Sequence, residues 1–334
     1  MKIINPMAKY RYPGLNRHAQ LVRLLRLKRG NYDDEIRCAM FEVNFDVASG
    51  GVPFEALSYT WGGSERNVPI SVNRRAMLIT RNLDIAMRHI RYRNKDRILW
   101  IDAICIDQEN KDERQHQVRQ MSEIYRKAEG VLVWLGLSTY KTDSVMDLMQ
   151  VIQTGSRFNQ STWKIEAHFW EDIGVENACF PLTPGTLQYR GFSKSAERAG
   201  LQELLNRPWF ERVWILQEIG NARAATIICG RKSVSARTFA LLPMILGAKP
   251  TEQQQAVLDI MPGVTREKSW FNDLRDLSIL LRRFKNCKAS DPRDKIYALL
   301  GIATDPTNHP FLQPDYKKPL DQVVREATAY LLND

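Results

Sequence analysis

The sequence predicts an α/β protein with a parallel sheet flanked by helices. Two apolar runs, at 98–106 and 131–135, are almost continuous rather than alternating, which is typical of strands covered on both faces. Between them, residues 110–128 place apolar side chains at helical spacing. Because strands that alternate with helices through short connections usually pair in parallel, we expect a parallel core. We also expect added β structure before this core, a large insertion within it and a helical part after it.

The residues before the core predict a mainly β N-terminal part with one helix. A turn signal separates the first two strand segments, and a hairpin is centred on Asn73 and Arg74. The strand that begins near Phe54 must end at the pair Gly62 and Gly63. The predicted strands are 21–27, 35–43, 54–59 and the two arms of 68–80, and the predicted helix is 82–93.

The core and its extension carry boundary signals of their own. Asn110 followed by Glu113 marks a helix start, and Pro208 opens a helix that is predicted to run to about residue 222. A fourth buried strand is predicted at 225–229, and the residues after it are mainly helical in pattern.

We divide the chain into three parts. Residues 1–20 are a basic arm, 21–235 are the core with an insertion at about 137–205, and 236–334 are a mainly helical extension packed on the core. Because the last periodic segment runs almost to the final residue, we expect further domains beyond residue 334.

Composition and cysteine usage narrow the class of protein. With 44% hydrophobic and 26% charged residues among 334, the chain has globular proportions. No apolar run approaches the roughly 20 residues of a membrane-spanning helix. The five cysteines are scattered singly and the five histidines show no ligand spacing, so we expect neither a metal site nor a disulfide framework. Reduced cysteines favour a cytoplasmic protein.

The excess of positive charge is concentrated at the N-terminus. Lysines and arginines exceed acidic residues by 48 − 38 = 10, and residues 1–30 contribute eight of these charges with no acidic residue. A solvated basic arm is the simplest interpretation, and an arm that binds an acidic lipid, a nucleic acid or a partner is the alternative. No nucleic-acid-binding motif occurs, so we expect no specific nucleic-acid partner.

Polar side chains cluster where parallel strands are predicted to end, which is where open α/β sheets bind ligands. One cluster is 58–63, a second is Asp102 with Gln108, and a third lies on the helix that begins at Pro208. Each cluster has a structural alternative. A buried strand aspartate such as Asp102 often only caps the neighbouring loop or helix. Aromatic residues such as Tyr59 and Trp61 often only pack in the core.

Glu218 is the informative residue of the third cluster. Its predicted helix is apolar around most of its circumference, so the carboxylate must be paired, protonated or facing a cavity. An ion pair with Arg212 or Arg207 and a role in a site both remain open. No nucleophile elbow, P-loop, dinucleotide-binding or zinc-protease motif competes with this cluster.

Eight motifs follow one another along the chain: 55–62, 80–83, 99–108, 113–118, 133–136, 212–218, 291–301 and 314–316. With these motifs the chain resembles the fungal heterokaryon-incompatibility (HET) domain from about residue 20 onward. The one small departure is Asp107, where the family usually has asparagine. The resemblance implies an effector of non-self recognition and regulated cell death.

HET domains are in turn similar to Toll/interleukin-receptor (TIR) domains, many of which cleave NAD. Ser58 and Tyr59 correspond to the end of the first TIR strand, and Glu218 lies four residues after Trp214, as the TIR glutamate lies after a tryptophan. The insertion at 137–205 is absent from compact TIR domains. The resemblance implies a TIR/flavodoxin-like fold and hydrolysis of NAD at the nicotinamide–ribose bond.

The same resemblance implies roles for the clustered residues. Glu218 is the expected catalytic carboxylate, because it suits the positive charge that develops on the ribose. NAD is then the substrate, with no further cofactor, and the active form is a homo-oligomer. A non-enzymatic TIR-like module that oligomerises to signal is the alternative function. The expected substrate-binding residues are Tyr59, Trp61, Gly62, Asp102, Gln108, Arg212 and Trp214.

Overall fold

A nine-stranded mixed sheet runs through the part of the chain that this computed structural model describes, residues 8–16, 20–44, 51–155, 194–273, 275–305 and 312–332. The strands are β1 (Leu21–Leu27), β2 (Arg37–Asn44), β3 (Glu55–Tyr59), β4 (Val68–Val72), β5 (Arg75–Ile79), β6 (Arg97–Trp100), β7 (Gly130–Trp134), β8 (Ala225–Cys229) and β9 (Lys232–Ser235). The helices are α1 (Arg81–Ile90), α2 (Asp102–Cys105), α3 (Lys111–Lys127), α4 (Tyr140–Gly155), α5 (Lys194–Leu205), α6 (Ile215–Gly220), α7 (Ala236–Leu246), α8 (Glu252–Asp259), α9 (Val264–Glu267), α10 (Leu277–Arg283), α11 (Asp294–Leu300) and α12 (Leu320–Leu332). The strand order is β5-β4-β2-β1-β6-β3-β7-β8-β9.

Four neighbouring strands of this sheet form a parallel core. β3 pairs in parallel with β6 on one side and with β7 on the other, and β7 pairs in parallel with β8. Across the sheet these strands lie in the order β6-β3-β7-β8. Numbered by their position along the chain, this order is 2-1-3-4, which matches the start of the flavodoxin-like order. The predicted parallel α/β core is confirmed. β1, β2, β4 and β5 extend it at one edge, where β1 runs antiparallel to both β6 and β2.

Local chemistry accounts for the core elements. The last four residues of β3 and of β7 are all buried, which explains why their sequences do not alternate. The side chain of Thr80 accepts a hydrogen bond from the main-chain nitrogen of Leu83 at the start of α1. Asn110 accepts one from the main-chain nitrogen of Glu113 at 3.1 Å, which confirms the predicted start of α3.

The sequence predicts one strand over the apolar run 98–106, and this prediction is wrong. β6 ends at Trp100, and the main-chain nitrogens of Ile104 and Cys105 bond to the carbonyl of Ile101. A buried helical turn and a buried strand both produce an unbroken apolar run, so the pattern does not distinguish them. Asp102 therefore begins a helical turn just after the strand.

The predicted helix over 208–222 is also interrupted. A 3-10 turn covers Pro208–Glu211, and α6 begins only at Ile215. Between them the main chain bonds to a distant residue: the nitrogen of Val213 donates to the carbonyl of Lys288 at 3.0 Å. This β-bridge replaces helical bonding. As a result Glu211 is exposed and pairs with Lys288 at 2.7 Å rather than lying on the face of Glu218.

The predicted insertion begins and ends in two helices that pack on each other, α4 and α5. The rest of it, 156–193, lies outside the described residues. After β8 the chain adds β9, an antiparallel edge strand that the sequence pattern did not predict. The described residues after β9 are helical as predicted, with α7 against β8 and α11 against α6. Within the described ranges no helix combines the length and apolar character needed to cross a membrane.

Residues 8–16 are not a solvated arm, because their main chain bonds to the sheet. The main-chain nitrogen of Tyr10 donates to the carbonyl of Ala76 in β5 at 2.7 Å.

Arg23, in β1, is 1% exposed, and two of its nitrogens reach the two carboxylate oxygens of Glu113 at 2.5 and 3.1 Å. The charge of Arg23 is therefore satisfied inside the protein and is not available to an external partner.

We expect the buried pair of Arg23 and Glu113 to hold β1 and α3 together. Glu113→Ala should lower the free energy of unfolding by about 3–5 kcal/mol, because it leaves the guanidinium charge of Arg23 buried without a counter-ion. Chemical denaturation at neutral pH measures this change. The exposed pair of Glu35 and Arg37 is the control, and Glu35→Ala should cost less than about 1 kcal/mol. Equal losses in the two variants would contradict the structural role of the buried pair.

Candidate functional site

The candidate site lies where the carboxyl ends of β3 and β6 meet the segment that leads into α6. Ser58 and Tyr59 end β3, and Asp102 begins α2 just after β6 ends at Trp100, close enough for its charge to act on Glu218 and Tyr59. This edge of the parallel strands is where open α/β sheets bind ligands. We call the group formed by Ser58, Tyr59, Asp102, Arg212 and Glu218 the Glu218 site.

Glu218 is buried, as its apolar sequence context predicts, with 2% of its side chain exposed. Its Oε2 accepts a hydrogen bond from the hydroxyl of Ser58. Its Oε1 lies 3.7 Å from Nη1 of Arg212, a long contact that is an ion pair without close hydrogen-bond geometry. The other predicted pairing does not form, because Arg207 bonds to Glu203 at 3.3 Å.

Ser58 receives a hydrogen bond as well as giving one. The indole nitrogen of Trp209 donates to the Ser58 oxygen at 2.7 Å, so the hydroxyl hydrogen is free to point at Glu218. Sequence reasoning placed Ser58 in the cluster 58–63 without giving it a role, and it did not single out Trp209. The available signal was that Ser58 is a polar residue inside the apolar strand β3, whose hydroxyl needs a partner when buried.

Loss of hydration on burial raises the pKa of Glu218 from its ordinary value of 4.5 to about 7. The charge of Arg212 and the hydrogen bond from Ser58 both lower this pKa, and the negative charge of Asp102 raises it, but burial outweighs them. The carboxyl group therefore takes both protonation states near neutral pH. Carboxyl groups with this property occur often in active sites.

Tyr59 offers its hydroxyl rather than its ring. The residue is 2% exposed, so protein encloses the ring, and among the described residues its hydroxyl has no hydrogen-bond partner. Burying a hydroxyl without a partner costs about 1–3 kcal/mol. Burial raises the pKa of Tyr59, which keeps the hydroxyl protonated and able to donate. This free donor near Asp102 and Glu218 is suited to a polar group of a ligand.

Asp102 and Trp61 are joined directly. The indole nitrogen of Trp61 donates to Oδ2 of Asp102 at 3.1 Å, and the main-chain nitrogen of Ala103 donates to Oδ1 at 2.7 Å. Protein closely surrounds the carboxylate of Asp102, and this burial raises its pKa. Part of the residue's surface nevertheless stays accessible to solvent. The ring of Trp61 is half-buried, with the guanidinium of Arg66 5.7 Å from its centre.

Gly62 shapes the loop beside this pair. Its φ of +74° lies in the left-handed region, and a Cβ there would stand 2.8 Å from the Cβ of Asn82. Asn82 donates to the carbonyl of Thr60 and accepts from the indole of Trp134 at 3.2 Å. Glycine is therefore needed for the close approach of the loop to α1.

Two other predicted site residues have their bonds elsewhere. Gln108 donates to the main-chain carbonyl of Asp102 at 2.9 Å, so it supports the backbone and not the carboxylate. The indole of Trp214 donates to Asp294 at 3.0 Å. By contrast, Arg212 belongs to the Glu218 site, since it also donates to the carbonyl of Tyr59 at 2.5 Å. Among the described residues no group of histidine, cysteine and acidic side chains is arranged to hold a metal ion.

We expect the burial of Glu218 to make the stability of the protein depend on pH. Between its ordinary pKa of 4.5 and the raised value of about 7, the folded state keeps a proton that the unfolded chain releases, so stability falls as pH rises through this window and is level above it. Glu218→Gln removes this loss. Its free energy of unfolding relative to the parent should improve by up to about 3 kcal/mol between about pH 4 and about pH 8. Denaturant titrations at both pH values measure the difference, and a parent that gains stability through the window relative to the variant would show that the pairing with Arg212 outweighs burial.

Comparison with known proteins identifies the domain that contains the site. Residues 54–218 match the family described as "Heterokaryon incompatibility protein (HET)". The chain is also 27% identical to "Heterokaryon incompatibility protein 6, OR allele" of Neurospora crassa, over 88% of this chain and 49% of that protein. It thus spans about half the length of this curated relative. No solved structure matches the chain. Residues 54–218 are therefore a domain of the heterokaryon incompatibility (HET) family.

Proposed function

We propose that this chain is an effector of fungal non-self recognition and regulated cell death that hydrolyses NAD at the nicotinamide–ribose bond. The HET domain and the heterokaryon incompatibility relative support the biological role. The similarity of the sequence to TIR domains suggests the reaction. The single observation that supports the chemistry most is the buried carboxylate of Glu218 at the carboxyl end of β3.

The reaction needs a negative charge beside the ribose. As the bond between C1′ and the nicotinamide nitrogen breaks, its electron pair leaves with neutral nicotinamide and positive charge develops on the ribose. Water adds to C1′ and releases a proton to the solvent, which gives ADP-ribose. An ionised Glu218 would stabilise the positive charge, as carboxylates do in glycosidases. The hydrogen bond from Ser58 and the ion pair with Arg212 hold the carboxylate in one orientation.

The neighbouring side chains provide complementary contacts. The free hydroxyl of Tyr59 and the carboxylate of Asp102 are suited to ribose hydroxyls, and the half-buried ring of Trp61 is suited to stacking on a flat base. Arg212 is 20% exposed and is suited to the diphosphate. Gly62 shapes the loop that carries Trp61. Gln108 and Trp214 contribute indirectly, through the backbone of Asp102 and the start of α6.

A non-enzymatic module that oligomerises to signal is the second candidate function. The observation that favours it is the ion pair of Glu218 with Arg212, because a structural pair also satisfies a buried carboxylate. The geometry of the pair favours the enzyme, since Oε1 of Glu218 lies 3.7 Å from Nη1 of Arg212, longer than a close structural ion pair. We place the protein in the cytoplasm. Unpaired cysteines among the described residues, all buried, support this placement.

We expect Glu218→Gln to abolish most NAD cleavage. Gln keeps the size and a hydrogen-bond acceptor for Ser58 but removes the negative charge, and a loss of about 3–4 kcal/mol of transition-state stabilisation lowers the rate on the order of a hundredfold. Chromatography of nicotinamide and ADP-ribose at equal folded concentrations measures the rate. Glu211→Gln removes an exposed carboxylate from the same segment and should leave the rate unchanged. A parental rate in Glu218→Gln would make Glu218 structural, and a parent that consumes no NAD at any concentration would favour the second function.

We also expect activity to depend on assembly. If the active pocket is completed between copies, as the resemblance to TIR domains implies, the rate per protein should rise with protein concentration and follow the oligomer fraction seen by light scattering. Turnover per protein that stays constant down to dilutions with only monomer would contradict this dependence.

A further inference from the structure

The segment on both sides of Glu218 is held by residues that follow the HET match. The bonds go to main-chain carbonyls within 288–301, beyond the end of the match at 218. Each bond joins a residue of 213–221 to a main-chain carbonyl. They are Val213 nitrogen to Lys288 at 3.0 Å, Gln217 Nε2 to Tyr297 at 3.2 Å and Asn221 Nδ2 to Gly301 at 3.2 Å.

Asp294 adds a side-chain anchor in the middle of this set. It is 8% exposed, and both of its oxygens are used. Oδ2 accepts from the indole nitrogen of Trp214 at 3.0 Å, and Oδ1 accepts from the hydroxyl of Tyr316 at 2.7 Å. The carboxylate that holds the indole of Trp214 through one oxygen is thus itself held through its other oxygen by Tyr316.

Trp214 connects this anchor to Glu218 through one further bond. Trp214 directly precedes α6, and its carbonyl accepts hydrogen bonds from the main-chain nitrogens of Gln217 at 3.1 Å and of Glu218 at 3.2 Å. If the indole loses its anchor and the main chain of Trp214 shifts, the first turn of α6 shifts with it. Because the contacts of Glu218 with Ser58 and Arg212 come from other elements, such a movement would shift the carboxylate relative to them.

We propose that Asp294 is a positioning residue for Glu218: by holding the indole of Trp214, it keeps the carboxylate of Glu218 aligned with Ser58. The kinetic part of this inference rests on the proposed hydrolysis of NAD. Asp294 itself does not touch the substrate, so its loss reduces the alignment of Glu218 in the transition state and leaves substrate binding nearly intact.

Three variants of the full chain separate positioning from general stability. Asp294→Ala removes both hydrogen bonds. Asp294→Asn removes the charge but keeps an acceptor for Trp214, and its amide can donate to the hydroxyl oxygen of Tyr316. Asp259→Ala is the matched control, because Asp259 also accepts from an indole, that of Trp270 at 3.0 Å, in the same C-terminal part of the chain.

We expect kcat to fall roughly 10- to 100-fold in Asp294→Ala at equal folded concentration, with KM changed by less than about threefold. Asp294→Asn and Asp259→Ala should stay within about threefold of the parent. A parental kcat in Asp294→Ala would overturn the proposal. A loss in Asp294→Asn as large as in Asp294→Ala would show that the charge of Asp294 matters and its hydrogen bonds do not, which also overturns it.

A second measurement does not require activity. In protein with ¹³C-labelled glutamate carboxyls, the signal of Glu218 is assigned by its absence in Glu218→Gln and followed against pH. The titration midpoint should fall toward the ordinary range in Asp294→Ala, because a loosened α6 admits water to the carboxylate. It should stay unchanged in Asp294→Asn and Asp259→Ala.

The two measurements distinguish the two proposals. If the parent consumes no NAD, the proposed function fails, and the titration alone decides whether Asp294 positions Glu218. An unchanged midpoint in Asp294→Ala overturns positioning even where NAD is cleaved. Should Asp294→Ala not fold, Trp214→Phe removes the indole donor, keeps an aromatic ring and serves the same comparison. Trp270→Phe is its control, because it makes the same change of ring size.

Discussion

Burial of the Glu218 carboxylate is the constraint on which the surrounding structure depends. An ionised carboxylate without partners inside a protein costs several kcal/mol, and among the described residues one hydroxyl and one distant guanidinium offset that cost. The same chain shows a closely paired case in Arg23 and Glu113, where two close contacts join both oxygens to both terminal nitrogens. The incomplete compensation at Glu218 leaves its pKa near neutral.

The topology explains why the partners of Glu218 come from distant parts of the sequence. β3 lies between β6 and β7, so its polar residue Ser58 has no route to solvent and must find its partners above the sheet. The parallel order brings the carboxyl ends of β3 and β6 to one edge, and the chain covers that edge with α6 after the insertion has returned. The buried hydroxyl and the buried carboxylate then satisfy each other, while Trp209 takes the remaining acceptor position on Ser58. Each of these groups would be costly in the absence of the others.

The sequence predicted the elements whose signals are local. The hairpin follows from Asn73, which takes a positive φ of 49° that asparagine tolerates, and the start of α3 follows from the cap at Asn110. The burial of Glu218 followed from its neighbours in the same way. What the sequence could not predict depends on distant partners. The break before α6 exists because the main chain at Arg212 pairs with Lys288, and no pattern within one helix length reports a partner so far along the chain. The direction of the Trp214 side chain has the same origin, because Asp294 lies on a different element.

The end of the family match and the end of the physical unit therefore differ. The match stops at Glu218, in the middle of α6, a helix of six residues. Helices of that length are not stable by themselves and take their position from tertiary contacts. For α6 these contacts include the β-bridge to Lys288 before it, and its packing on α11. Because a carboxylate can be aligned only as well as the backbone that carries it, the alignment of Glu218 depends on the C-terminal helices as well. The described C-terminal residues that contact α6 therefore belong to the same packed unit as the matched domain.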